Sequence, residues 1–277
     1  MTMVRADGVI HIPRGQDGVR AETYARVALL RPPEAIAHTI VHIGSHDLAL
    51  DILADLLRRA RPDRSLSSLH TGSEEGLRAL ARGEAHFAGC HLLDPDTGAY
   101  NIAAIQRYLA HLPVAVMAFV RRNQGLLVQR GNPRGLRDLR DLLRPDVTFV
   151  NRQPGSGTRL LLDYHLNRLG IDPRAIRGYD RHEFSHLTVA AAVKNGAADA
   201  GLGILAAARA LDLDFIPLFQ EDYQLVMPLA HYESPLLAPM IEIIRSADFR
   251  QTVAALGGYE VAGMGEIVFS TSHAPRS

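Results

Sequence analysis

Three short stretches of this 277-residue chain combine hydroxyls with glycine: Gly44-Ser45-His46-Asp47, Thr71-Gly72-Ser73 and Ser156-Gly157-Thr158-Arg159. Each follows a strand-like run and precedes a helical one, so each sets hydroxyls and backbone N–H groups at a helix start. The first N–H groups of a helix have no intrahelical acceptor, and with the positive end of the macrodipole they favour an anion. Glycine lets the backbone approach a ligand closely. Facing one cleft, three such turns would hold a tetrahedral oxyanion with donors alone. The candidates are Ser45, His46, Thr71, Gly72, Ser73, Ser156, Gly157, Thr158 and Arg159, with Arg159 expected to contribute most because it brings a full charge. The same hydroxyls also serve as ordinary N-caps, each worth about 1 kcal/mol to its helix.

A fourth stretch, His182-Glu183-Phe184-Ser185-His186, has the form of a zinc-protease motif, in which two histidines one helical turn apart bind the metal and the glutamate is the base. That chemistry needs one continuous helix. Ser185 is a good N-cap, and the apolar helical residues Leu187, Val189, Ala190 and Val193 come after it. The expectation is therefore that His182 lies in a loop, and that His186 starts a helix, either facing the cleft or capping. A zinc hydrolase using His182, Glu183 and His186 is the weaker alternative, and neither a metal nor a catalytic residue is expected. The loop after the apolar run ending at Cys90 adds His91, Tyr100 and Asn101 as possible donors to a ligand. Cys90 reads as buried and inert rather than as a nucleophile. Tyr223 is placed within reach of the cleft, and its neighbours Glu221 and Asp222 in solvent.

Composition narrows the classes. Thirty basic residues balance thirty acidic ones, and Lys194 is the only lysine. One cysteine makes no internal disulfide and no multi-cysteine metal site. Lys194 sits in Ala-Val-Lys-Asn-Gly, not in a phosphate-binding loop. A neutral balance gives no general attraction to nucleic acid. No run approaches the ~20 apolar residues that span a bilayer, and the first eighteen residues are broken by charges, proline and glycine where a secretory signal needs an apolar stretch. The expectation is a cytoplasmic protein with neither a membrane nor a nucleic-acid partner.

The elements that must position these residues alternate strand and helix. Residues 39–43, 67–69, 85–90, 147–150, 198–204, 215–218 and 224–229 read as strands. Residues 114–128 read as two strands interrupted by Arg121-Arg122-Asn123-Gln124. Thr71 and Glu74 fit a capping box opening a helix that ends near Gly83. The helix after Ser156 carries Leu162, Leu166 and Leu169. Before Pro32-Pro33 the chain is strand-like. Strand–helix alternation implies an α/β fold, and ligands in such folds bind where strands run into helices.

As an ordered set, Gly44-Ser45-His46-Asp47, His70-Thr71-Gly72-Ser73, His91-Leu92-Leu93-Asp94, Tyr100-Asn101, Asn151-Arg152-Gln153-Pro154-Gly155-Ser156-Gly157-Thr158-Arg159 and Ala198-Asp199-Ala200-Gly201-Leu202-Gly203 resemble a periplasmic-binding-protein-like domain of the molybdate- and tungstate-binding type. Such cytoplasmic domains occur fused to molybdopterin molybdenumtransferases or to helix-turn-helix regulators. The similarity covers roughly residues 37–230. Ala6-Asp7-Gly8-Val9-Ile10-His11-Ile12-Pro13 with Gly15-Gln16-Asp17-Gly18-Val19 is similar to the end of the C-terminal β-domain of those transferases. The resemblance implies a two-lobed type II binding-protein fold: a β segment over 1–33, lobe one from 34–118 and 223–277, and lobe two from 119–222. It implies a non-enzymatic module that binds molybdate or tungstate between the lobes, for sensing or delivery in molybdenum-cofactor metabolism, with enzymes of that pathway as partners. The alternative is a small organic or molybdopterin-type ligand in the same fold.

Overall fold

The computed structural model describes residues 6–20 and 23–271. The chain opens with a hairpin of β1 (Gly8–Ile10) and β2 (Val27–Leu29). An Asp7–Arg31 ion pair at 2.7 Å and an Arg31–Thr39 hydrogen bond at 2.9 Å tie it to the main body. The short helix α1 (Pro33–Ala37) leads into β3 (Thr39–Gly44) and α2 (Leu48–Ala60). Asp47 caps α2 by accepting from the Ala49 N–H. Leu50, Leu53 and Leu57 form its buried stripe, while Arg58 and Arg59 complement the C-terminal dipole.

β4 (Ser65–His70) pairs parallel to β3 and feeds α3 (Ser73–Ala81). The expected capping box is absent. Gly72 is the N-cap, at φ 96°, and offers no side-chain cap; Thr71 lies outside the helix and is exposed. Glu74, the other half of that box, is held by Tyr108 and Arg78 instead. β5 (Ala88–Cys90), the loop 91–101 and α4 (Ile102–Tyr108) follow.

β6 (Val114–Val128) is one strand of 15 residues, not two. Strand alternation makes Arg121 exposed and turns Arg122 and Gln124 into the interior. The charged interval that reads as a break is thus a strand with polar residues inside. β7 (Phe149–Arg152), α5 (Gly157–Arg168), β8 (His182–Glu183), α6 (His186–Lys194), β9 (Ala200–Ile204) and α7 (Leu205–Ala210) build the far side. β10 (Asp214–Pro228) then runs antiparallel along the whole of β6, again as one 15-residue strand where two shorter ones are expected. After it come α8 (Leu229–Tyr232), α9 (Ala238–Arg245), α10 (Ala247–Ala255), β11 (Tyr259–Glu260) and β12 (Ile267–Ser270); both of these strands pair with β6.

The main sheet has the order β5-β10-β6-β9-β7-β8. The architecture is two α/β lobes sharing β6 and β10, which cross between them. Lobe one carries β3, β4, β5 and α2 to α4; lobe two carries β7 to β9 and α5 to α7. One apolar cluster joins α2, α9 and α10 to the crossing strands and to α6 and α7, so the lobes share a core along β6 and β10. A second cluster belongs to lobe two alone. Among the described residues, no helix is long and apolar enough to cross a membrane.

Candidate functional site

Where the lobes meet, a chain of buried hydrogen bonds starts at Ser45, just past the end of β3. Its Oγ lies 2.8 Å from His91 Nε2, and His91 Nδ1 lies 2.9 Å from Glu221 Oε2. The other Glu221 oxygen accepts from Arg122 Nε and, at 2.6 Å, from Gln124 Nε2. Arg122 continues through Nη1 to Asp47, whose carboxylate also accepts from Tyr259 at 3.0 Å. Glu221 and Arg122 face each other across β10 and β6, each 1% exposed. The expectation that Glu221 is solvated is wrong: the alternation that turns Arg122 inward turns its cross-strand partner inward too, while Arg121 pairs with Asp222 on the outer face at 2.7 Å.

Burial pushes the Glu221 carboxyl up, but Arg122, then His91 and Gln124, outweigh it and hold the group at about 2. Burial pushes His91 down, and Arg122 and Arg152 reinforce that against Glu221, so the ring is neutral. With Glu221 ionised, His91 carries its proton on Nδ1.

From lobe two, the start of α5 lies over His91. A Cβ on Gly157 would stand 2.4 Å from His91 Nδ1 and 2.5 Å from the His91 carbonyl oxygen, and one on Gly72 would stand 3.5 Å from the Gly155 carbonyl oxygen, so the lobes touch through glycine. Thr158 Oγ1 accepts from Gln124 Nε2 at 3.2 Å, Ser156 Oγ accepts from the Arg159 N–H at 3.3 Å, and Ser73 Oγ accepts from the His91 N–H at 3.2 Å. These three hydroxyls keep their own protons to donate. A Gly157→Ala variant is expected to bind a cleft ligand about tenfold more weakly, since over-packing costs about 1–3 kcal/mol and both the buried His91 ring and its carbonyl stand in the way. Titration calorimetry on the variant checks this, and unchanged affinity would show that closure does not need the contact.

Two further residues complete the site. His186, the first residue of α6, is 4% exposed, and neither ring nitrogen has a hydrogen-bond partner. Burial lowers its pKa well below the usual range, and the charges of Arg152 and Arg122 lower it further. Arg152, at the end of β7, is 4% exposed and donates to the Gln153 side chain at 3.2 Å and the Phe184 carbonyl at 3.1 Å. Among the described residues it has no ion pair. Burial and the nearby Arg122 push its pKa down to about 10, the mark of a cation short of counter-charge. Arg122 Nη2 is likewise buried without a partner.

The expected site residues divide accordingly. Ser45, Ser73, His91, Ser156, Gly157, Thr158 and His186 come together. Tyr223 is buried beside them, its hydroxyl donating to the Ser45 carbonyl and its ring 5.7 Å from His91. Gly72 is at the lobe contact. His46 is at the edge, bonded to Asp51 at 2.8 Å with its ring 4.2 Å from His70. Thr71 is exposed. Asn101 is consumed within the fold, accepting from the Leu92 N–H at 2.7 Å and donating to the Cys90 carbonyl and to the Gln224 side chain of β10. Tyr100 donates to the Gln220 carbonyl at 3.3 Å.

Arg159 is a correction. Its Nε is 3.1 Å from both Asp163 oxygens and 3.2 Å from the Tyr179 hydroxyl, and its guanidinium lies 3.8 Å above the Tyr179 ring. One turn along α5, Asp163 is the nearer anion and takes the charge. The zinc motif is also resolved. His182 and Glu183 lie in β8, and His186 follows a Ser185–Thr188 capping box on α6, so the two histidines do not share a helix face.

A model of the PBP superfamily domain matches residues 54–245. An uncharacterised protein of Bacillus subtilis, YvgK, is 36% identical over 231 residues, covering 83% of this chain and 74% of that protein. Among solved structures, a phosphate ABC transporter substrate-binding protein with bound phosphate from Clostridium perfringens superposes with a TM-score of 0.59 at 13% identity, covering 79% of this chain and 97% of that one. A tungstate ABC transporter protein from Geobacter sulfurreducens gives a TM-score of 0.57 at 13% identity, covering 78% and 98%. At this identity the likeness shows the fold.

Proposed function

We propose that this chain, which belongs to the PBP superfamily, is a binding module that closes its two lobes on a small tetrahedral oxyanion. The observation that carries this reading is Arg152: a buried cation with no carboxylate partner, next to the bare ring nitrogens of His186 and the unpartnered Nη2 of Arg122. A buried charge without a counter-ion is costly, and an anion between Arg152, His186, Ser73, Ser156 and Thr158 would remove that cost. Free N–H groups at the starts of α3 and α5 point the same way. The sequence resemblance favours molybdate or tungstate and a role in sensing or delivery within molybdenum-cofactor metabolism.

Titration calorimetry with molybdate, tungstate, sulfate and phosphate tests this. Binding of one or more is expected; no heat with any of them would overturn the reading. A second reading, an anion with an organic body, is favoured by a cavity of about 250 Å³ along the loop that follows His91, lined by the apolar Leu92, Ala104 and Leu160 and by the charged Glu74, Asp94 and Arg107. A thermal-shift screen of phosphate monoesters and pterins separates it from a bare oxyanion.

A further inference from the structure

Four hydroxyls stand at the site, and one has the opposite polarity to the rest. Ser73, Ser156 and Thr158 each accept a hydrogen bond from the protein and so keep a proton for the ligand. Ser45 does not. Glu221 fixes the His91 proton on Nδ1, so Nε2 is a bare acceptor and the Ser45 hydroxyl must donate to it. Ser45 therefore offers only lone pairs to whatever occupies the cleft. Molybdate, tungstate and sulfate are fully ionised near neutral pH and have no proton to give; against them Ser45 is a repulsive contact. Hydrogen phosphate and monoprotonated phosphate esters carry an O–H that Ser45 could accept.

We infer that the Ser45–His91–Glu221 chain is a proton-linked polarity switch, so that a fully ionised tetrahedral oxyanion binds together with one proton taken from solvent. The proton enters on His91 Nε2. That ring then donates to Ser45 Oγ, and the Ser45 hydroxyl turns to donate to the anion. One N–H···O and one O–H···O bond replace one O–H···N bond, and no covalent bond between heavy atoms changes. An anion with its own O–H leaves the chain as it is and takes up no proton.

The groups facing His91 set the balance. Glu221 from β10 favours the charged ring. Arg122 from β6 and Arg152 from β7 oppose it, as does His186 from α6 if it becomes charged. Tyr223 of β10 stacks on the ring, and Gly157 of α5 lies against it. In the free protein burial of the ring, reinforced by the two arginines, outweighs Glu221 and the ring is neutral. A dianion offsets the arginines, which restores the advantage of the imidazolium beside Glu221. Because the complex holds one more proton than the free protein, affinity for ionised anions should fall about tenfold per pH unit wherever the ring is neutral in the free protein and charged in the complex.

This inference rests on the oxyanion reading, and one experiment tells their failures apart. Titration calorimetry at about pH 8, in buffers of different ionisation enthalpy, gives the number of protons taken up per anion. About one proton is expected with molybdate, tungstate or sulfate, whichever bind, and none with hydrogen phosphate. His91→Gln is expected to abolish the uptake; His186→Gln, which removes an anion contact, is expected to weaken binding but to keep about one proton per anion bound. Binding of an ionised anion with no uptake overturns the switch and leaves the oxyanion reading standing. Uptake that survives His91→Gln but is lost in His186→Gln assigns the proton to the wrong histidine and also overturns it. No heat with any of the four anions overturns both.

Discussion

Replacing Arg122 with leucine is expected to cost about 3–5 kcal/mol of folding stability, the range for breaking a buried ion pair by removing one partner. Arg122 lies between Asp47 and Glu221, and the ion-paired side chains are all fully buried. Without the guanidinium, two carboxylates are left in the interior with hydrogen bonds from Gln124, His91, Tyr259 and the Ala49 N–H but no counter-charge. The pH dependence should change sign. In the native protein Glu221 titrates at about 2, below its ordinary value of 4.5, so its contribution is complete above 4.5 and is lost as pH falls toward 2. In the variant burial acts on Glu221 without Arg122, its pKa moves above the ordinary value, and stability should improve as pH falls from neutral. Adding Asp47→Asn and Glu221→Gln should restore most of the loss, since asparagine still caps α2. Urea unfolding across pH measures both variants. A loss below about 1 kcal/mol, or none of the expected rise in variant stability on acidification, would show that the network is solvated and the argument wrong.

That network marks the limit of what could be read from the chain. The three hydroxyl-glycine turns were legible because a strand end, a glycine and a helix start are local features, and Ser73, Ser156 and Thr158 stand where that pattern puts them. His186 was legible for the same reason: Ser185 ends the extended run and starts the helix, which also breaks the zinc motif. Arg122, Gln124 and Glu221 were not. Arg121-Arg122-Asn123-Gln124 looks like a turn because charged and amide residues are poor strand formers. Only its pairing with β10, 99 residues away at the Arg122–Glu221 contact, turns alternate members inward onto each other. Arg159 departs from expectation for a local reason: it sits at a helix start, but Asp163 four residues later already meets its charge. The arginine that has no ion pair among the described residues, Arg152, lies seven positions earlier in the same motif. A cue was available, since Arg152 ends a run of strand residues with no acidic residue near it in sequence.

Arg152 and Arg159 should therefore separate cleanly by mutation. Arg152→Ala is expected to weaken anion binding about 100-fold, as for loss of a charge-assisted hydrogen bond worth about 1.5–3 kcal/mol. Arg159→Ala should change affinity by no more than about threefold, because that guanidinium pairs with Asp163 and stacks on Tyr179. The stability of the free proteins should run in the opposite order. Arg159→Ala loses an ion pair and a cation–π contact, so it should be slightly destabilised, by up to about 1 kcal/mol. Arg152→Ala removes a buried charge that no carboxylate balances, so the free protein should unfold at the same temperature or higher, despite two lost hydrogen bonds. A residue whose removal abolishes binding while sparing or raising ligand-free stability is held in place for the ligand, not for the fold. Thermal unfolding without anion, and calorimetry with the best-bound anion, give both quantities on the same samples. If Arg152→Ala instead destabilised the free protein and kept its affinity, the unpaired charge would be serving the lobe-two structure through Gln153 and Phe184, and the anion would have to be held by Arg122, His186 and the helix starts alone.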